Sequence, residues 1–382
     1  MKKTVLVGHL DTGVSAAHPA LQGKIAHQTI IDENGMPLPE GADTFFASHG
    51  THTAGIICGD PAQGVQGVAP DARLCVVAVS TSGKNLLKLL AGMDALLNFD
   101  IRIACMAIGV RKQTPVFAPF LDAFLKKGVL PILPIGNGGE GAAHAPACYP
   151  GALAVGAVNE RGMVADFSGS CGAGTSRKPE LLAPGVNMLS ALPNGKTSHK
   201  SGTSMACAYV AGVAARLLQV RPDAGVAEIK HALFVSAQAL PPARQHRCRY
   251  GIANPEAALE AIQQPSGAVS LEEEAESVPE FLQTRYIDKR FLENYRRAGE
   301  SQLLEAILLP QKSKRNSAEI PAASRRLVDQ VEQKSGQKAA YTRYFQHADA
   351  VHVQADRKFF ATLLEHPGLF ACSAVDQSIF DD

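Results

Sequence analysis

Asp11, His49 and Ser204 supply a carboxylate, an imidazole and a hydroxyl, the three groups that nucleophilic catalysis combines. A hydroxyl is a poor nucleophile at neutral pH and needs a neighbouring base. Asp11 closes the apolar run Val5-Leu6-Val7-Gly8-His9-Leu10 and precedes Thr12-Gly13. His49 begins the stretch Ser48-His49-Gly50-Thr51-His52-Thr53-Ala54-Gly55. Ser204 lies in Ser201-Gly202-Thr203-Ser204-Met205-Ala206, at the start of a long apolar helical pattern running to Val220. The free N–H groups and dipole of such a helix start favour a developing negative charge. Each segment also has a plainer reading: Asp11 as a turn residue, His49 as a structural helix-start residue, Ser204 as a helix cap. His49 and His52 at i, i+3 could be half of a metal site. No Glu separates them and no third ligand stands at a usual spacing, so no metal is assigned.

The elements that must carry these residues alternate. Thr4–Leu10, Leu74–Val79, Ile101–Ile108, Val129–Ile135 and Ala152–Val158 read as buried strands, with helical patterns such as Leu86–Asn98 and Pro119–Lys127 between them. That alternation predicts an α/β fold, a doubly wound and mostly parallel sheet with helices on both faces. Reactive groups belong at the carboxyl edge of such a sheet. Residues 1–264 form this unit. Residues 265–301, with Leu271-Glu272-Glu273-Glu274-Ala275-Glu276 and then several arginines, read as a charged linker with one or two helices. Residues 302–382 follow the order βαββαβ, which fits a small α+β ferredoxin-like domain.

The chain order Asp, His, Ser is that of the subtilisin template, not of chymotrypsin or the α/β-hydrolases. Residues 1–262 resemble a subtilisin-like (S8) peptidase domain throughout. The match includes Gly67-Val68-Ala69-Pro70, Pro134-Ile135-Gly136-Asn137, Tyr149-Pro150, Ala154-Val155-Gly156-Ala157-Val158 and Leu182-Ala183-Pro184-Gly185. The resemblance implies a serine endopeptidase acting on proteins or peptides. Ser204 would be the nucleophile, His49 the general base and Asp11 its orienting partner. It further implies that the Asn137 side chain and the Ser204 N–H form the oxyanion hole; Asn137 could also be a polar turn residue, but its place after a buried strand and before the Ser204 segment favours the functional role. Ile108-Gly109-Val110 would pair with the substrate backbone by strand addition. His144 falls near the floor of the S1 pocket, where it could meet an acidic P1 side chain or be a solvent-facing loop residue.

Three departures from the family stand out. Ala208 and Tyr209 replace a Pro-His pair behind the nucleophile. Ala20 stands where the family's strong calcium site has an Asp, and the loop Gly59–Gly64 is short, so that site is expected to be absent and no cofactor is implied. The N-terminal propeptide common in the family has no room before the first strand. Instead, residues 302–382 resemble that propeptide (the I9 inhibitor type) moved to the other end, although an unrelated ferredoxin-like accessory or dimerisation domain would show the same pattern. On the propeptide reading the domain is an intramolecular inhibitor. The tail Ser378-Ile379-Phe380-Asp381-Asp382 would enter the cleft, its acidic end toward His144.

Composition limits the remaining classes. Lys and Arg number 37 against 36 Asp and Glu, a formal charge of +1, which asks for neither nucleic acid nor an anionic membrane. The apolar run at the start stops at His9, too soon for a signal peptide, and no uninterrupted apolar stretch is long enough to span a bilayer. Eight scattered cysteines without a CxxC pair read as reduced thiols and point to the cytoplasm. Two further functions share this sequence: a peptide ligase or macrocyclase on the same scaffold, and a non-catalytic binding module. The intact Asp11, His49, Asn137 and Ser204 speak against the second.

Overall fold

The computed structural model describes residues 4–39, 48–80, 85–111, 113–172, 177–264, 283–311 and 321–375. The first part of the chain runs β1 (Leu6–Asp11), β2 (Ile25–Ile31), α1 (Ser48–Cys58), β3 (Arg73–Val79), α2 (Asn85–Leu96), β4 (Ile103–Met106), α3 (Ala118–Lys126), β5 (Leu130–Pro134) and β6 (Leu153–Val158). It continues through β7 (Leu181–Pro184), the hairpin β8 (Met188–Ala191) and β9 (Thr197–Lys200), α4 (Thr203–Val220), α5 (Val226–Val235), β10 (Gly251–Ile252) and α6 (Pro255–Gln263). Eight strands form one sheet in the order β10-β7-β6-β5-β4-β1-β3-β2, and every pairing in it is parallel. Strands covered by helices on both faces must be apolar on both faces. That is why Leu74 to Val79 and Leu153 to Val158 are buried without alternation.

The strand order places the carboxyl ends of β5, β4 and β1 side by side. The predicted strands are present with ends shifted by a few residues; β2, β7 and β10 lie at or toward the sheet edges and were not anticipated. Helix α4 is long and apolar enough to cross a membrane, yet it lies against β4, β5, β6 and β7 as the core helix of this sheet.

The second unit contains β11 (Tyr286–Ile287), α7 (Lys289–Arg297), β12 (Leu304–Pro310), α8 (Ala322–Ser335), β13 (Tyr341–Tyr344), β14 (Val351–Ala355), α9 (Arg357–Glu365) and β15 (Leu369–Ser373). Its sheet runs β11-β15-β12-β14-β13. From β12 onward the order is the expected βαββαβ, with β13 and β14 antiparallel neighbours. The expected boundary at residue 302 is too late. Strand β11 pairs in parallel with β15, and Phe291 of α7 lies buried in the core of this unit. The charged face of α7 conceals a single apolar anchor, which is why the segment reads as a linker.

Helix α2 joins the two units. Leu86, Leu87, Leu89, Leu90, Ala91 and Met93 are all buried. A helix apolar on more than one face must be covered on more than one side. Here β3 covers one side, while Ile307, Leu309, Phe345, Ala348 and Ala350 from the C-terminal unit belong to the same core as the α2 residues. Phe345 meets Phe120 of α3 edge-on, with ring centroids 5.1 Å apart. The buried Asp94 carboxylate accepts the backbone N–H groups of Gln346 and His347 at 2.9 and 2.7 Å.

Candidate active site

Asp11 is the last residue of β1 and is wholly buried. Its Oδ1 accepts from His49 Nδ1 and from Thr12 N, both at 2.7 Å. Its Oδ2 accepts from Thr53 Oγ1 at 2.8 Å. Burial pushes the carboxyl pKa up, but the charge and hydrogen bond of His49 outweigh it and hold the group down at about 2. Asp11 is therefore ionised at neutral pH and can only accept, so His49 carries its proton on Nδ1. That leaves Nε2 as a lone pair, the form a general base requires.

His49 sits in the first turn of α1, and its side chain is 26% exposed. Gly50 follows because nothing larger fits: a Cβ there would lie 3.1 Å from Gly13 N and 3.2 Å from the Asp11 Cβ. His52 is wholly buried and turns the other way, its Nε2 meeting the Ser198 carbonyl at 3.0 Å. The two histidines engage different partners, which removes the metal-pair reading. Burial holds the His52 pKa down at about 4.

Ser204 is the second residue of α4, so its N–H is one of the orphan donors of the first turn. The turn is fixed at the carboxyl ends of three strands: Gly202 N donates to Gly185 O, Gly185 N to Val158 O, and Gly136 N to Thr203 Oγ1. Helices α1 and α4 pack directly on each other, bringing their first turns to one edge. The Ser204 hydroxyl donates to the Ala107 carbonyl, just beyond β4, at 3.0 Å. Attack by this hydroxyl would require its single proton to pass from that carbonyl to a base.

Asn137 follows β5 and is exposed. Its Oδ1 accepts both Thr203 N and Thr203 Oγ1, each at 2.9 Å. With its only acceptor engaged, the side chain keeps its NH₂ as a donor on an exposed residue. That donor and the orphan N–H of Ser204 are the pair that the resemblance assigns to the oxyanion. Thr203 positions both, a role that local sequence did not disclose.

The residues expected to meet a substrate are Ile108, Gly109 and His144. Val110 and Ala145 exchange both backbone hydrogen bonds at 2.8 Å, so the segment after β4 is already paired on one side. The Ile108 side chain is buried in the core, and only its backbone is on offer to a substrate. His144 lies between the two walls: its Cβ would be 3.4 Å from a Cβ at Gly109, and its ring within 2.5 Å of one at Gly136. His144 is partly exposed. Ile379, Phe380, Asp381 and Asp382 fall outside the described residues.

The residues at the implied calcium site do not fit that ion. Ala20 has no side-chain oxygen, His18 is engaged through Nδ1 with Ala20 N and through Nε2 with Lys196 O, and the Asp60 carboxylate caps Ala62 N.

Comparison with known proteins agrees with this geometry. Residues 2–251 match the family described as Subtilase family. The chain is 32% identical over 223 residues to the major intracellular serine protease of Bacillus subtilis (strain 168), covering 56% of this chain and 68% of that protein. It is 34% identical over 239 residues to subtilisin Savinase of Lederbergia lenta, covering 62% and 84% respectively. The match to subtilisin E of Bacillus subtilis spans 60% of that protein's length. Among solved structures, the prenylagaramide maturation protease PagA superimposes with a TM-score of 0.58 at 31% identity, over 68% of this chain and 94% of that one. The patellamide maturation protease PatA gives 0.56 at 32%, over 68% and 96%.

Proposed function

The chain belongs to the subtilase family and is a serine endopeptidase, and from that premise we propose that its own C-terminal domain holds it in check. In the peptidase reaction Ser204 attacks the scissile carbonyl as His49 takes its proton. Asp11 keeps the imidazole in the right tautomer and stabilises the imidazolium. Asn137 and the Ser204 N–H receive the oxyanion. His49 then returns the proton to the leaving amine, and water releases the acyl group by the same steps in reverse.

One observation carries the inhibitory reading. Leu86 N, at the start of α2, donates to the carbonyl of Val375 at 3.1 Å. The start of α2 follows the carboxyl end of β3, beside the end of β1 that bears Asp11. The chain thus leaves β15 at the catalytic edge, with residues 376–382 still to come. Seven extended residues reach at most about 25 Å. The contact of Ser373 Oγ with Thr114 Oγ1 at 3.3 Å supports the same exit, because Thr114 lies just beyond the Ile108–Val110 segment. In this reading the domain resembles a propeptide inhibitor, and the acidic tail end approaches His144. Its occupant in the working enzyme is a peptide with an acidic P1 residue.

The reading requires no cofactor and puts the enzyme in a reducing compartment. All eight cysteines are thiols, and all but Cys171 are buried. A similar protein is named an intracellular protease. Similarity to proteins named maturation proteases supports a precursor peptide as substrate. The ligase reading shares the acyl-enzyme and differs in what accepts the acyl group, so product masses separate the two. The decisive test compares the full chain with a form ending at Val375 on small acidic-P1 peptides. Higher kcat/KM in the shortened form, reversed by added tail peptide, is the expected result. Equal activity and no inhibition by that peptide would overturn the inhibitory role.

A further inference from the structure

Asp11 is touched from behind by a pair of residues that the triad mechanism leaves unused. Side chains two apart on a strand share a face, so His9 lies on the same side of β1 as Asp11. Both are wholly buried. His9 Nε2 is 2.9 Å from Thr53 Oγ1 and 3.7 Å from Asp11 Oδ2, and Thr53 Oγ1 is 2.8 Å from that same oxygen.

We propose that His9 and Thr53 act as positioning residues, a donor line onto the back oxygen of the catalytic carboxylate that sets the basicity of His49. The direction of the line follows from the acceptor at its end. An ionised carboxylate cannot donate, so Thr53 gives its proton to Asp11 Oδ2. The carbonyls of Gly50 and His49 are longer alternatives at 3.2 and 3.3 Å. The Thr53 oxygen then accepts from His9, which must carry its proton on Nε2. His9 Nδ1 has no hydrogen-bond partner among the described residues, and burial pushes the pKa of this ring down. A neutral ring, protonated on Nε2 alone, satisfies all three observations. An aliphatic residue would fill this position between Val7 and Leu10 without burying a bare nitrogen, so the ring's polar edge is what the position uses.

The consequence is electrostatic. A donor on Oδ2 draws charge from the carboxylate and fixes its plane, leaving Oδ1 aimed at His49 Nδ1. The less negative the carboxylate, the less it stabilises the His49 imidazolium, and the lower the pH at which His49 is a free base. Other titratable groups face this cluster: His52 on α1, Lys200 on β9, and Cys207 on α4, itself in contact with Cys105 on β4. Lys200 is the fixed cation among them, its Nζ bound to Ser48 Oγ at 2.8 Å, beside His49.

This inference rests on the serine peptidase assignment and not on the tail, and fluorophosphonate labelling of Ser204 in the parent chain reports that assignment separately. The test is the pH dependence of the labelling rate in the full chain. Thr53→Val keeps the side-chain shape and removes the donor. Its acid limb should move to higher pH by about half to one unit, while Thr53→Ser restores the parent limb. His9→Phe should move the limb the same way by less, and should add nothing in the Thr53→Val background. An unmoved limb in folded Thr53→Val, or a His9→Phe shift that persists without Thr53, would overturn the line. Should the variants not fold, ¹⁵N-histidine NMR of the parent chain decides. A neutral His9 protonated on Nε2 throughout the His49 titration supports the proposal. A charged His9, or one protonated on Nδ1, sinks it.

Discussion

The catalytic edge and the seam under the C-terminal domain are built on opposite terms. At the edge, Asp11, Thr53, Thr203 and Asn137 are held by directed hydrogen bonds. At the seam, α2 and α3 meet the second sheet chiefly through apolar area, with the Asp94 carboxylate as a buried polar clamp. Directed contacts answer to the loss of one atom, because the partner is left unsatisfied. Area contacts answer to volume, because what is lost is burial and packing. Substitutions at the edge should therefore appear as rate changes much larger than their stability cost, and those at the seam as altered docking with the chemistry intact.

The sharpest way to break this contrast is Asn137→Ala. It removes the proposed oxyanion donor, together with the acceptor of Thr203 N and Oγ1. A loss of roughly 10²–10³ in kcat with little change in KM is expected, a magnitude known for such donors in subtilisins and not specific to this fold. The melting temperature should fall only modestly, by the cost of leaving Thr203 N and Oγ1 without their acceptor. A large fall in stability with a small fall in kcat would show the edge behaving like the seam.

Phe345→Ala tests the other side. The ring is wholly buried against Phe120, and a buried Phe→Ala change costs about 3–5 kcal/mol in a core that cannot collapse. Because Phe345 precedes the Asp94 clamp, the loss should loosen the domain from α2 and α3. Peptidase activity on small peptides should rise several-fold while the active-site labelling rate at saturating pH remains that of the tail-less form. Unchanged activity alongside a lowered melting temperature would mean that the domain stabilises without restraining.

Much of the edge was legible because its chemistry sits in contiguous motifs. Gly136-Asn137, Ser48-His49-Gly50 and Gly202-Thr203-Ser204 each hold a reactive group next to the glycine or threonine that makes room for it or fixes it. The buried strands were legible for a related reason, since a parallel sheet demands unbroken apolar runs such as Leu74 to Val79. What escaped notice depends on pairing at a distance. Strand β2 carries polar residues (His27, Gln28, Thr29) because it lies at the sheet edge, and β10 is two residues long. Thr53 looks like any helix residue until the fold brings it to Asp11. His9 read as the end of an apolar run, yet it is as buried as Val7. The leucine-rich run of α2 does not say which domain supplies its second cover.

The smallest effect is expected at His52. It is buried behind the triad and neutral, its Nε2 on the Ser198 carbonyl, so it touches no substrate. Burial holds its pKa at about 4, against an ordinary value of 6.5 in the unfolded chain. Above pH 6.5 both states leave the ring neutral and the group contributes no pH dependence. Between 6.5 and about 4 the unfolded chain takes up a proton that the folded chain refuses, so stability falls as pH falls through that window. The buried His9 acts in the same direction. Asp11, held at about 2, adds its own loss only in stronger acid, below the unfolded carboxyl's ordinary value of 3.8. His52→Gln keeps a donor for the Ser198 carbonyl and removes the titration. Its urea midpoint should fall less than the parent's between pH 7.5 and 5, while kcat at neutral pH stays within about twofold. An equal fall in both proteins would place the acid sensitivity elsewhere, and a lost kcat would draw His52 into the directed network of the edge.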